Sequence, residues 1–130
     1  MSPAPENTLA TAKLVAFAPT RNPVRAKEFY AGTLGLRLVE ENSFALVFDA
    51  NGTMLRVTTV PELTPHNFTV LGWEVEHIRA AITSLIGRGV QFERYSFLTQ
   101  DERGIWTAPG GAQVAWFKDP DGNVLSISEV

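Results

Sequence analysis

The last residues of the chain, Phe117–Val130, read FKDPDGNVLSISEV and combine a turn with a strand. Asp-Pro-Asp-Gly-Asn at positions 119–123 is typical of a tight turn, because proline and glycine supply the backbone angles that turns require. After the turn, the apolar side chains Leu125 and Ile127 alternate with serines. This alternation predicts a strand with one apolar face and one face that carries hydroxyl groups.

Two earlier segments of the chain follow a common plan. They read LVAFAPTRNPVRAKEFYAGTLGLRLVE (residues 14–40) and FTVLGWEVEHIRAAITSLIGRGVQFER (residues 68–94). Each passes from an apolar strand through a polar break and an amphipathic helix to a glycine and a second strand. The two glycines, Gly35 and Gly89, lie 54 positions apart and suit helix ends. Such self-similarity indicates a duplicated unit.

The two helices have recognisable start and packing signals. Asn22 is suited to an N-cap and Pro23 to the first helical position. In the second helix, apolar side chains at helical spacing predict a stripe that faces the core. Its members are Ile78, Ala81, Ile82, Leu85 and Ile86.

Three strand-like runs follow each helix. The runs cover residues 37–40, 44–49 and 53–59 in the first half, and 91–96, 113–118 and 124–129 in the second. Asn51-Gly52 predicts a hairpin turn, and the loop before the last two strands has room for a short strand at Ile105–Thr107. The sequence therefore predicts an α+β fold made of two βαβββ repeats, one at about 13–60 and one at about 66–130.

The composition limits the classes of protein that the chain can represent. Its 130 residues fit a single domain over 1–130, and the net charge of −3 with a pI near 5.3 argues against nucleic-acid binding. The sequence has no apolar run of about 18 residues, no secretory signal and no cysteine. We therefore expect a cytoplasmic protein without membrane contacts, in which the Pro-rich residues 1–11 are loose.

The strands predict a face that looks into a cleft rather than onto a helix. One side of each strand next to the helices is apolar, and the other side mixes apolar groups with a few polar ones. This composition is typical of small-molecule pockets. The predicted lining consists of Val15, Phe17, Met54, Arg56, Thr58, Val70, Gly72, Glu74, Val124, Ser126 and Ser128.

The sequence resembles the vicinal-oxygen-chelate superfamily, also called the glyoxalase/bleomycin-resistance/dioxygenase family, over about Lys13–Val130. The most specific pieces are EFYAGTLGLRL (28–38), similar to that family's first helix end, and WFKDPDGNVLSI (116–127), similar to its DPxGN turn. The resemblance implies two half-open barrels around a cleft. It also implies a homodimer, because many small members dimerise.

In metal-using members of that family, four strand positions hold the ion, and the resemblance places them at Val15, Arg56, Val70 and Ser126. Valine has no donor atom, arginine is a fixed cation, and a neutral serine is a weak ligand for a transition metal. We therefore expect neither a metal nor another cofactor. A displaced site that uses His66 and Glu74 is the alternative.

Two functions remain open at this point. The first is a binding protein without catalysis that holds a small organic or aromatic compound in an apolar cleft. The second is a glyoxalase-like lyase, isomerase or dioxygenase, with a displaced metal site or with Glu74 as general base. The candidate ligand-binding residues are Phe17, Met54, Arg56, Glu74, Trp106 and Ser126.

Three of the candidate side chains have competing interpretations. Arg56 and Glu74 either contact the ligand or form a structural ion pair between the repeats. Trp106 lies in a loop, where it either covers a ligand or packs against the protein. The alternation assigns Trp73 to the core, whereas both faces around Trp116 are apolar and leave its side open.

Overall fold

A computed structural model describes residues 8–130. Residues 1–7 of the predicted loose N-terminus lie outside this range, and residues 8–11 form an exposed turn. The first repeat contains β1 (Val15–Thr20), α1 (Pro23–Lys27), a π-helical turn (Glu28–Thr33), β2 (Arg37–Glu41), β3 (Ala45–Ala50) and β4 (Thr53–Thr59). The second contains β5 (Thr69–Glu74), α2 (Ile78–Gly87), β6 (Trp106–Thr107), β7 (Gln113–Lys118) and β8 (Val124–Glu129).

The strands form two four-stranded mixed sheets with the same topology. The first has the order β1-β4-β3-β2 and the second has the order β5-β8-β7-β6. In each sheet the first strand pairs in parallel with the last, and the remaining pairs are antiparallel. This arrangement confirms the prediction of an α+β fold with two βαβββ repeats.

The first helix starts as the sequence predicts but ends differently. The Asn22 side chain accepts a hydrogen bond from the Arg25 N–H at 3.2 Å, and Pro23 occupies the first turn. After Lys27 the winding loosens, and the Leu34 N–H donates to the Phe29 carbonyl, five residues back, at 2.9 Å. Apolar periodicity does not distinguish such a turn from an α-helix.

Both repeats contribute to one hydrophobic core. Its large buried side chains include Tyr30, Phe48, Ile82, Phe117 and Leu125. The Phe29 and Phe117 rings lie 6.5 Å apart and join the first helix to the second sheet. Trp73 packs against this core, as its alternation predicts.

A buried polar network also joins the repeats. The Tyr30 hydroxyl donates to the Asp119 carboxylate at 2.7 Å, and the Asn123 amide donates to Asp119 at 2.8 Å and to the Pro19 carbonyl at 2.9 Å. The backbone N–H groups of Asp121 and Asn123 donate to the same carboxylate. Burial raises the pKa of Asp119, and burial together with the nearby Asp119 charge raises the pKa of Tyr30.

The strand predicted at 91–96 is wrong. Only Phe92 forms a bridge, to Phe117, and the chain then turns away as a loop. The reason is the Gln100 side chain, which accepts from the Tyr95 N–H and donates to the carbonyls of Glu93 and Gly104. These backbone groups are thereby bonded within the loop. The short strand predicted at Ile105–Thr107 is present as β6.

One member of the predicted helix stripe faces away from the core. Ile78 and Ile82 are buried, but Ile86 is 52% exposed. It lines a cavity of about 470 Å³ that lies between α2 and the loop after Phe92, beside Arg94 and Arg103. Within residues 8–130, no helix is long and apolar enough to cross a membrane.

Candidate functional site

Each sheet has one face that packs on the shared core and one face that does not. We call the second kind the open faces. The first open face carries Val15, Phe17, Val47, Met54 and Arg56, and the second open face carries Gly72, Glu74, Trp106, Trp116, Ser126 and Ser128.

The first open face is apolar around a single half-buried cation. Arg56 lies on β4 between Phe17 on β1 and Val47 on β3, its partners in the strand registers. Phe17 is 59% exposed and Met54 is 43% exposed, so large apolar groups reach the solvent here. Beside them is a cavity of about 340 Å³ lined by Val15, Val47 and Met54, among others.

The cation of the first open face has no partner within the described part of the chain. Arg56 makes neither a hydrogen bond nor an ion pair there. The nearby Asp49 carboxylate is already engaged, by Arg37 at 3.0 Å and by the Gly52 N–H at 2.8 Å. The hydrogen bond from Arg37 lowers the pKa of Asp49, which keeps that carboxylate charged.

The second open face is built around an aromatic cluster. The ring centroids of Trp106 and Trp116 lie 6.1 Å apart, and the Tyr95 ring meets Trp116 edge-on at 5.7 Å. Phe97 extends the cluster beyond Tyr95 at 5.5 Å. The Trp116 indole N–H donates to the Thr69 hydroxyl at 3.2 Å, which holds the ring across the sheet. We call Tyr95, Trp106 and Trp116 the aromatic wall.

A polar strip runs beside the aromatic wall. Ser126 and Ser128 are half-buried, and Glu74 is exposed next to Ser128. Ser126 lies against Gly72, where an added Cβ atom would approach the serine hydroxyl oxygen to 2.8 Å. Glycine at this position therefore leaves room for the hydroxyl group on the open face.

A family model of the Glyoxalase/Bleomycin resistance protein/Dioxygenase superfamily matches residues 13–127 of the chain. The chain belongs to this superfamily. No curated protein sequence matches it.

Solved structures support the glyoxalase-type fold. The bleomycin resistance determinant encoded on transposon Tn5 superposes with a TM-score of 0.72 at 19% identity, covering 92% of this chain and 98% of that one. A superfamily member from Sphaerobacter thermophilus gives 0.69 at 23% identity, with 92% and 98% covered. Lactoylglutathione lyase from Agrobacterium tumefaciens gives 0.68 at 15% identity, with 92% and 93% covered. At these identities the likeness establishes the fold alone.

The glyoxalase-type metal positions do not fit a metal ion in this chain. Val15, Arg56 and Ser126 lie on the open faces, and they offer a hydrocarbon, a cation and a neutral hydroxyl. Val70 interrupts the strand register of β5, packs against the core and lines a cavity of about 510 Å³ beside Gly72 and Glu74, where it too offers a hydrocarbon. Among residues 8–130, no three His, Asp or Glu side chains come together as a ligand set, including around His66, which stacks on Phe68.

The structure separates the predicted site residues into two groups. Phe17, Met54 and Arg56 lie on the first open face, and Glu74, Trp106 and Ser126 lie on the second. Within residues 8–130, no hydrogen bond, ion pair or ring contact joins the two faces, and Arg56 and Glu74 are not within 4.0 Å of each other. Val124 was predicted to line the cleft, but it is only 3% exposed and is not accessible to a ligand.

The sequence did not identify two members of the aromatic wall. Trp116 alternates with the buried Ala115 and Phe117, so burial places it on the open face although its neighbours in the sequence are all apolar. Tyr95 lies within the segment 91–96, which was incorrectly predicted as a strand. For Trp116, the available signal is its pairing with Ser126 across the sheet, because paired residues lie on the same face.

Proposed function

We propose that the protein is a binding protein without a metal, which holds a small planar organic molecule against the aromatic wall. The observation that supports this most is the 6.1 Å approach of Trp106 and Trp116, which are both half-exposed on the second open face. Aromatic rings stabilise planar ligands by stacking as well as by removing apolar surface from water. The hydroxyl groups of the adjacent polar strip are suited to orient such a ligand.

The proposed lining includes residues from both open faces. The first open face contributes apolar contacts and a cation, and the second contributes rings, hydroxyls and a carboxylate. The residues are Phe17, Met54, Arg56, Glu74, Trp106, Trp116 and Ser126. Because Glu74 is exposed and makes no hydrogen bond in the described range, its use as a general base has less support than its place on the rim.

We infer further that two copies of the chain associate. Each open face is only half of an enclosure, and Phe17, Val39 and Met54 expose 59%, 55% and 43% of their surface on the first sheet. Exposed apolar surface of this extent is typical of an interaction site. In a two-fold dimer, the first open face of one copy can meet the second open face of the other, and both copies then gain an enclosed cleft.

The aromatic wall is tested with a neutral planar probe, 2-naphthylmethanol, titrated by calorimetry. Trp106→Ala and Trp116→Ala should each weaken binding about 10-fold, since each removes a stacking contact and its apolar area. Phe44→Ala is the matched control, because Phe44 is 75% exposed and lies in the connection between β2 and β3. Equal affinity in all four proteins would contradict the proposal.

The assembly and the metal are tested on the purified protein. Light scattering should give twice the 14.3 kDa mass of one chain. Elemental analysis after purification without added metal should find far less than one transition metal per chain. A stoichiometric metal would instead support the enzyme hypothesis.

A further inference from the structure

Arg56 differs from the other arginines in how its charge is compensated. Arg56 and Arg103 are the two half-buried arginines within residues 8–130. The Arg103 guanidinium donates to the Thr83 hydroxyl at 2.8 Å and to the Arg79 carbonyl. Arg56 makes no such bond in that range, although a guanidinium carries five N–H donors and a full charge.

The surroundings of Arg56 favour an ionic contact with a bound molecule. Its neighbours across the sheet are Phe17 and Val47, and Val47 is only 4% exposed. The guanidinium nitrogens remain open to solvent, since within residues 8–130 no buried side-chain nitrogen lacks a hydrogen-bond partner. They are therefore available to an acceptor, and an ion pair formed beside apolar groups is screened less than one in open water. Asp49, a carboxylate on the same sheet, is held by Arg37 and does not occupy them.

The charge and shape of the Arg56 side chain indicate what the acceptor is. Its neighbours Phe17 and Val47 carry no charge, so an anionic group that reaches the guanidinium meets no competing charge from them. A guanidinium is a planar fork that matches the two oxygens of a carboxylate.

We propose that Arg56 anchors a carboxylate of the ligand, so that the protein selects planar organic acids over neutral or cationic planar molecules. This inference rests on the proposed function, both for the planar part of the ligand and for the dimer that brings Arg56 of one copy opposite the aromatic wall of the other. The aromatic wall determines whether a planar molecule binds, and Arg56 determines which charge it carries. Glu74, which is exposed on the second sheet, carries the opposite charge and does not favour an acid, so it lies outside the carboxylate contact.

Three probes of one shape separate these two statements: 2-naphthoate, 2-naphthylmethanol and 2-naphthylmethylammonium, titrated by calorimetry. The unmodified protein should bind the acid at least about 10-fold more tightly than the alcohol, as one charge-assisted hydrogen bond provides. Arg56→Gln should remove this preference, so that the acid and the alcohol then bind with similar affinity. Arg56→Lys keeps the charge but not the fork, and should retain only part of the preference.

Arg25→Gln is the matched control, because Arg25 is exposed on α1 and lies on neither open face. It should keep the full preference for the acid. The inference is overturned if acid and alcohol bind equally to the unmodified protein, or if Arg56→Gln keeps the preference. Binding of the alcohol without preference for the acid leaves the proposed function intact, and binding of none of the probes overturns both.

A second copy is the other source of a carboxylate, through Glu74 of that copy. In that case Arg56→Gln and Glu74→Gln should both shift the protein towards monomer in light scattering, with no change in the ratio of acid to alcohol affinity. This result would also overturn the inference. Melting temperatures of the variants establish that each is folded before it is titrated.

Discussion

The middle row of the open face, meaning three residues paired across adjacent strands, differs between the two sheets. The strands that carry it nevertheless have the same topology. In the first sheet the row consists of Val47, Arg56 and Phe17, and in the second it consists of Trp116, Ser126 and Gly72. In the first sheet the aromatic residue is Phe17, on the parallel edge strand β1, whereas in the second it is Trp116, on the antiparallel strand β7. The central residue is the cation Arg56 in the first sheet and the hydroxyl-bearing Ser126 in the second.

This difference shows which residues the shared topology constrains. On the core side the two sheets carry matching apolar residues, such as Phe48 and Phe117, both at most 1% exposed. Substitutions there disturb the packing of both repeats. On the open side no packing fixes the residue type, so the two repeats have acquired unlike chemistry and form a cleft with two different walls.

The turns between the last two strands sharpen the comparison and lead to the largest expected effect. The turn of the second repeat is organised by the buried Asp119, whose side chain accepts four hydrogen bonds within residues 8–130, whereas the first turn at Asn51-Gly52 is exposed. Asp119→Ala should lower the free energy of unfolding by about 3–5 kcal/mol, because it leaves several buried donors without an acceptor. Denaturant unfolding measures this loss.

Asp121→Ala is the control for that substitution. Asp121 lies in the same turn, and within residues 8–130 its side chain accepts one hydrogen bond, from the Arg21 N–H. Its effect should be clearly smaller. If both substitutions destabilise the protein equally, then the network around Asp119 does not hold the repeats together.

The pH dependence of stability tests the same network through Tyr30, which lies in the first repeat. The unfolded chain loses the tyrosine proton near its ordinary pKa of about 10, whereas burial raises the pKa of Tyr30 in the folded protein. The contribution of Tyr30 to stability is therefore full below pH 10 and falls as the pH rises above it. The loss should be about 1.4 kcal/mol between pH 9 and pH 11.

Tyr30→Phe should be less stable at neutral pH, since it loses the hydrogen bond to Asp119, but should lack this part of the alkaline loss. All other side chains are common to both proteins, so the difference between the two pH profiles isolates Tyr30. Parallel profiles up to pH 11 would show that the hydroxyl is not held in the buried network.

The smallest expected effect comes from adding a side chain at Gly72, in the middle row of the second sheet. Gly72→Ala places a methyl group where it meets the Ser126 hydroxyl oxygen at 2.8 Å, and this crowding should destabilise the protein by about 1 kcal/mol. In a Ser126→Ala background the same substitution should cost much less. A double-mutant cycle by denaturant unfolding measures this coupling, and additive effects would mean that the serine side chain turns away freely.

The sequence predicted most of the fold because its signals are local. Strand alternation, the Asn22 cap and the glycines at the helix ends each depend on neighbouring residues, and the strands at 53–59, 113–118 and 124–129 agree with the structure. The strand at 91–96 failed because a single side chain, Gln100, bonds the backbone groups of that segment from outside it. Nothing in residues 91–96 contains that information.

The site was predictable in its faces but not in its assembly. Alternation placed Phe17, Met54 and Arg56 correctly on one open face, and it placed Ser126 on the other. It did not reveal that the two faces make no contact with each other in the described chain, nor that Trp116 joins Trp106. Both facts depend on how distant strands pack, which periodicity along one strand does not report.

The ends of the two sheets bear on how the protein avoids aggregation. An edge strand with free backbone groups can recruit a strand from another molecule. Here β1 and β5 are inner edges that lie against each other, β6 is limited to Trp106–Thr107, and β2 carries Arg37, Glu40, Glu41 and a register shift after Leu38. Charge, irregular pairing and short length therefore make the outer edges poor templates, so these strands can remain uncovered in solution without promoting fibre growth.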